Sequence, residues 1–390
     1  MFALAAGASA QVPASTDTRT QYPPFLANSY FTFNVGSIRY LFTGNELESG
    51  FSSESVDVPH VGVRVDLFGH HFNRYLAAQV TYMRPALFVS FDNVNGDKSS
   101  HQVSEAYGGL TFVGSFPLGR RADGYGEGGY GLTSRSGFEM NGAPALKEAH
   151  FGNGILGAGV AVHATPNIDM MFSATYSPGR KSFNQPSTRL FTAGIRYEMR
   201  QLPESTVTEN RDAGYFFPLN TVRFGYTTNL LTYGANGLFT QVIPIFWGGN
   251  VHARRGFSVS YERNVFHNRK RFAFDLGASG GYWKSDLDKE VFATASVYPL
   301  LRFYLARPQQ ADLYFAYSVA GPTLISDSII DGLDTGQHFT FQDFLGLGGY
   351  FGASRRFNAE LGIKHYSNGN IFTKNASIKI PLTLLIGVDF

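Results

Sequence analysis

Near the C-terminal end of the chain stands the run Lys364-His365-Tyr366-Ser367-Asn368-Gly369-Asn370, then a polar loop to Asn375 and a closing apolar strand. Residues i and i+2 of a strand share a face, so His365 and Ser367 project together. An imidazole within reach of a hydroxyl is the minimum for general-base activation of a serine, and so for acyl transfer through a covalent intermediate. A polar cap where a strand leaves a bilayer would carry the same residue types. Other motifs fall away. Gly126 to Gly131 and Gly152 to Gly157 have the glycine spacing of a dinucleotide-binding turn, but both lie in Gly/aromatic strands with no helical period after them. They read as glycines easing a curved barrel. His70-His71 read as loop histidines lacking the further ligands a metal needs. With no Cys, disulfides, thiolate metal sites and a Cys nucleophile are excluded. Neither a metal nor a cofactor is expected.

The elements that would hold His365 and Ser367 are strands. Phe31, Phe33 and Val35 alternate with Thr32, Asn34 and Gly36, and Val61, Val63, Val65 and Leu67 with Gly62, Arg64 and Asp66. The same period returns around 76–82, 104–116, 124–136, 153–164, 168–177 and 191–197, which makes eight strands within residues 28–199. A polar, aperiodic stretch at 200–214 contains Pro203 and reads as a linker. Alternation then resumes at 222–226, 257–261, 271–282, 291–306, 311–321, 338–352, 356–367 and 379–390, again eight strands. Short turns alternate with long polar loops, as in outer-membrane barrels. Arg64, Asp66 and Arg196 lie on faces whose neighbours are Gly, Thr and Ser, which is the solvent face of a soluble sandwich or the lumen of a membrane barrel.

Composition favours the barrel. The 390 residues include 44 Gly, 36 Phe and 21 Tyr, and only 16% are charged against about 25% in soluble domains. The net charge of +2 supplies no field for nucleic acid, and none is expected as a partner. No run of 18 apolar residues offers a transmembrane helix, which leaves membrane strands open. Ala8-Ser9-Ala10 has the form of a signal-peptidase site, so residues 1–10 are expected to be the remnant of an export signal. The expected architecture is all-β, with two consecutive eight-stranded antiparallel transmembrane barrels at 24–200 and 215–390 joined by a linker at 201–214. A single sixteen-stranded barrel is the alternative.

The His365-Tyr366-Ser367-Asn368 run, Asn375 ten residues after the histidine and the closing strand resemble the lipid A 3-O-deacylase (outer-membrane acyloxyacyl hydrolase) family. The stretches Ser318-Val319-Ala320-Gly321-Pro322 and Phe339 to Phe344 are similar to it as well, so the resemblance covers about residues 215–390. It implies an eight-stranded barrel whose outer wall hydrolyses the ester at the 3 position of lipid A. Ser367 would then be the nucleophile and His365 the general base, with the Asn368 side chain and the Asn375 backbone N–H as oxyanion donors. The implied partners are lipid A or lipopolysaccharide and the bacterial outer membrane; a homodimer is left open.

One position departs from the family pattern. The acidic third member is expected 14 residues after the histidine, where this chain has Lys379. A tight turn centred near Ser354 would bring Asp343 opposite His365, on the face of Phe339, Phe341 and Leu345. A carboxylate on a lipid-facing stripe is functional by default, so Asp343 is expected to orient His365. Glu360 has lumen parity. The N-terminal half resembles small OmpA/OmpX-type barrels and carries no chemistry. The competing reading of the whole is a non-catalytic porin, adhesin or scaffold with a degenerate site.

Overall fold

The computed structural model describes residues 17–242 and 249–390, and the expected signal remnant at 1–10 lies outside them. By contact the chain divides into two compact units, one holding Pro24–Arg200 with Gly369–Lys374, the other Gln201–Asn368 and Asn375–Phe390 with the residues before Pro24.

The first unit is a closed eight-stranded antiparallel barrel: β1 Ser29–Tyr40, β2 Val61–His71, β3 Leu76–Pro85, β4 Glu105–Pro117, β5 Ala122–Arg135, β6 Ala149–His163, β7 Ile168–Ser177 and β8 Thr188–Glu198. β1 closes on β8 with Phe33 opposite Ile195. Outward residues are apolar and exposed (Phe31, Phe33, Phe112, Phe172, Phe191), while their neighbours Thr32, Asn34, Arg64, Asp66 and Arg196 are buried inside. The ambiguous charged face is therefore the lumen. Arg64 bridges Glu127 at 2.7 Å and Asp66 at 3.2 Å, and Gln79 donates to Glu127 at 2.8 Å, so side chains fill the interior. Both glycine motifs lie within β5 and β6. A Cβ on Gly129 would stand 2.1 Å from the Leu110 carbonyl, so close strand approach explains the glycine there.

The histidine pair departs from expectation, since His70 and His71 end β2 rather than lying in a loop. Strand parity parts them, and each finds a polar neighbour, Ser29 at 3.0 Å and Glu198 at 3.1 Å. At the long-loop end, Ser55–Asp57, Val89–Asp92 and Ser100–Val103 form a three-stranded sheet over a core that includes Val89, Phe91, Val94 and Val103.

The second unit is another closed eight-stranded antiparallel barrel: β9 Asn220–Thr228, β10 Val251–His267, β11 Phe272–Ser285, β12 Val291–Ala306, β13 Ala311–Ile325, β14 Phe339–Phe351, β15 Phe357–Ser367 and β16 Ile378–Asp389. β9 closes on β16, so the sixteen-stranded alternative does not occur. Above the end of β9, Val251 and His252 of β10 pair directly with Ile378 and Lys379 of β16. Inside, Arg302 bridges Asp275 and Glu262, Arg223 bridges Glu262 at 2.5 Å, and Asn358 donates to the Tyr314 hydroxyl at 2.8 Å. Glu360 belongs to this lumen, 4.0 Å from Arg223.

The stretch read as an aperiodic linker contains α1, Glu204–Asp212, with Pro203 at its N-cap. Tertiary contact holds so polar a helix: Val207 and Asn210 are buried, and Asn210 accepts from the Arg269 N–H at 2.8 Å. A second helix, α2 (Gly234–Val242), lies in the β9–β10 connection.

Candidate active site

The turn between β14 and β15 is centred on Ser354, with Phe351 opposite Phe357. That register carries Asp343 opposite His365 and Phe341 opposite Ser367. Paired residues of neighbouring strands share a face, and the face here is the outer wall that bears Leu347 and Leu361 lower down. His365 Nδ1 lies 3.1 Å from Asp343 Oδ2. An ionised carboxylate only accepts, so Nδ1 carries the proton and Nε2 is left as the basic nitrogen.

The second carboxylate oxygen is fixed from β13. Between Ser318 and Gly321 that strand carries a bulge, with Ser318 opposite Phe344 but Gly321 opposite Gln342. Ala320 sits in it at φ +54°, and its N–H donates to Asp343 Oδ1 at 2.8 Å. An alanine in the left-handed region costs about 1 kcal/mol or more, a strain typical of functional positions. The bulge thus aims a backbone donor at the carboxylate and leaves Oδ2 to the imidazole.

The pair is withdrawn from the surface. Asp343 is 6% and His365 3% exposed, whereas Leu347 and Leu361 on the same strands are 57% and 48% exposed. Ile363 and Leu345 are buried beside the pair and pack with Phe315, Tyr317, Leu382 and Ala235 of α2. A bulge in β16 at Pro381-Leu382 breaks the β15–β16 register, and the Ile380 carbonyl accepts from Asn236 of α2 at 3.1 Å.

Ser367 follows at the end of β15, where the Asn375 side-chain amide reaches its Oγ at 3.0 Å. Asn375 Oδ1 in turn accepts from the Asn368 N–H at 3.1 Å, and Asn368 Nδ2 donates to the Thr335 carbonyl at 2.9 Å. The side-chain amide next to the serine is that of Asn375, and Asn368 contributes its backbone N–H. Lys379, at the position expected to be acidic, is the register partner of His365 on the β16 side. The imidazole stands between an acid on one neighbouring strand and a base on the other. Sequence reasoning missed Ala320 and Asn236, because neither a bulge nor a docked helix leaves a periodic trace. Among the described residues no group of three or more His, Cys, Asp or Glu could hold a metal ion.

The family of lipid A 3-O-deacylases (PagL) matches residues 255–380. The match lies wholly within the C-terminal barrel. No curated protein matches the chain. Among solved structures, the outer-membrane enzyme PagL is 14% identical with a TM-score of 0.31, covering 44% of this chain and 99% of its own. Neisserial surface protein A is 15% identical with a TM-score of 0.30, covering 44% and 97%. The N-terminal β-barrel domain of Pseudomonas aeruginosa OprF is 13% identical with a TM-score of 0.28, covering 44% and 98%. Apolar side chains encircle both barrels of this chain outside, and hydrogen-bonded polar ones fill them inside. It is an outer-membrane β-barrel protein.

Proposed function

We propose that the C-terminal barrel is a serine esterase that removes a 3-hydroxyacyl chain from lipid A, working at the outer wall where its substrate already lies. The observation that carries this reading is the Asp343–His365 contact buried in the outer wall, two residues below Ser367 on the same strand face and inside the region matched by the deacylase family. A carboxylate hydrogen-bonded to an imidazole on the outer wall supplies what acyl transfer needs, a base and its orienting acid.

In this mechanism His365 Nε2 takes the Ser367 proton as Oγ attacks the ester carbonyl, and Asp343 stabilises the imidazolium that forms. The Asn375 side-chain amide, 3.0 Å from Ser367 Oγ, stabilises the oxyanion, and the imidazolium gives its proton to the leaving sugar oxygen. Water, activated by the same histidine, then releases the fatty acid. Filled lumens argue against the porin form of the competing reading. A long-chain alkyl fluorophosphonate, which phosphonylates activated serines with loss of fluoride, is expected to label the wild-type protein at Ser367 and to leave Ser367→Ala and His365→Ala unlabelled. Equal labelling of all three would place the reactive serine elsewhere.

A further inference from the structure

The same register that places Lys379 beside His365 starts a basic arc along the outer wall. His252 pairs with Lys379 across the β10–β16 contact, and three residues on, Arg255 pairs with Lys284 of β11. A bulge between Ala253 and Arg255 adds Arg254 at the same rim. Arg254 and Arg255 are exposed, and Lys284 and Lys379 half-buried.

These cations have no acidic partner among the described residues. Three acids of that rim bond to other groups: Asp331 to the Ser285 hydroxyl and the Leu287 and Asp288 N–H groups, Asp286 to Asn229 and Lys289, and Glu290 to the Asp331 N–H. Four positive side chains are thus left without an ion-pair partner among the described residues, on a wall whose other outward residues are largely apolar.

Their height is fixed by aromatic rings. Phe224, Phe257 and Tyr282 stack in a row on the outer face, with centroids 6.4 and 5.3 Å apart. Such a girdle marks the membrane–water interface. Arg255 lies two residues above Phe257 and Lys284 two above Tyr282, about 7 Å higher along the strands, at the level of lipid headgroups.

We infer that Lys379, Arg255 and Lys284 form an anchor for a phosphate on the headgroup of the lipid whose ester reaches Ser367. Guanidinium and ammonium groups at headgroup depth bind phosphate oxygens through charge-assisted hydrogen bonds. The arc begins one strand from His365, so a phosphorylated sugar seated on it places its acyl chains down the apolar wall. The identity of position 379 thereby acquires a role: with the acid on β14, the β16 position is available to a cation. This inference rests on the proposed lipid A reading, and its test is built to fail separately from it.

Binding is measured with the full chain carrying Ser367→Ala, in neutral detergent micelles, using bis-phosphorylated lipid A and the same lipid after chemical dephosphorylation. The anchor predicts tighter binding of the phosphorylated lipid by the parent. Adding Arg255→Gln and Lys284→Gln weakens that binding on the order of tenfold and leaves the dephosphorylated lipid unaffected. A Lys379→Gln variant behaves in the same way, whereas Arg271→Gln at the short-turn rim changes neither affinity. Heat-modifiable gel mobility checks that each variant is folded. Equal affinity for both lipids, or an unchanged preference in the variants, overturns the anchor. So does phosphatidylglycerol competing as well as lipid A at equal charge, which would show a general anionic-lipid surface. If the wild type releases no fatty acid, the esterase reading fails, and the binding difference still decides the anchor.

Discussion

Replacing Asp343 with Asn is expected to lower kcat on lipid A by about 10³- to 10⁴-fold with little change in KM. The amide keeps the volume and the bond from Ala320 but removes the charge that balances the imidazolium. It can also donate to Nδ1, which forces the proton onto Nε2, where the base must be free. The effect should therefore fall on the chemical step. Single-turnover kinetics in mixed micelles give the separation, and heat-modifiable mobility shows whether the barrel is intact. A loss under tenfold would mean that the carboxylate neither orients nor charges the histidine, and the acid would have to be sought elsewhere.

The second large effect is on stability. Arg302 lies between Asp275 and Glu262 in the second lumen, with all three side chains almost wholly buried. Arg302→Met removes the cation the two carboxylates share and leaves Asp275 buried without a countercharge, at a cost of roughly 3–5 kcal/mol. Arg223 still bridges Glu262 at 2.5 Å, whereas Asp275 is left with the neutral Asn264 amide at 2.8 Å, so Asp275 bears most of the loss. Urea titration of the protein refolded into bilayers should show the midpoint falling accordingly. Restoring it with Arg302→Met combined with Asp275→Asn would confirm the cause. An unchanged midpoint in the single variant would mean that water solvates the lumen, and would revive a pore.

Much of this was legible because strand parity is exact where strands are regular. Phe31, Phe33 and Val35 assign the lipid face of the first barrel, and the turn at Ser354 fixes Asp343 against His365 with no other information. Legibility stops where a residue is inserted. The bulges at Val319-Ala320 and Pro381-Leu382 shift the period, so the Ala320 donor and the Ile380 carbonyl that takes the Asn236 amide follow from no alternation. α2 was hidden for a different reason. Gly234, Asn236 and Gly237 are poor helix formers, and the helix is held by its contacts with the wall at Leu345, Ile363 and Ile380. The His70-His71 pair shows the opposite error, where polar residues that look like a loop extend a strand because each side chain finds a partner. In the loop after β15, hydrogen bonds among Ser367, Asn368 and Asn375 depend on a chain reversal that spacing does not encode.

Hydrolysis of a lipid A ester by Ser367, His365 and Asp343 is open to direct measurement. Mass spectrometry of lipid A incubated with detergent-refolded protein tests it most directly, with wild type beside Ser367→Ala. The account predicts the loss of one 3-hydroxyacyl mass with wild type, recovery of the corresponding free fatty acid, and intact lipid A with the variant. Intact lipid A in both samples, from several lipid A types and with a folded barrel, would contradict it; so would equal release by the two proteins.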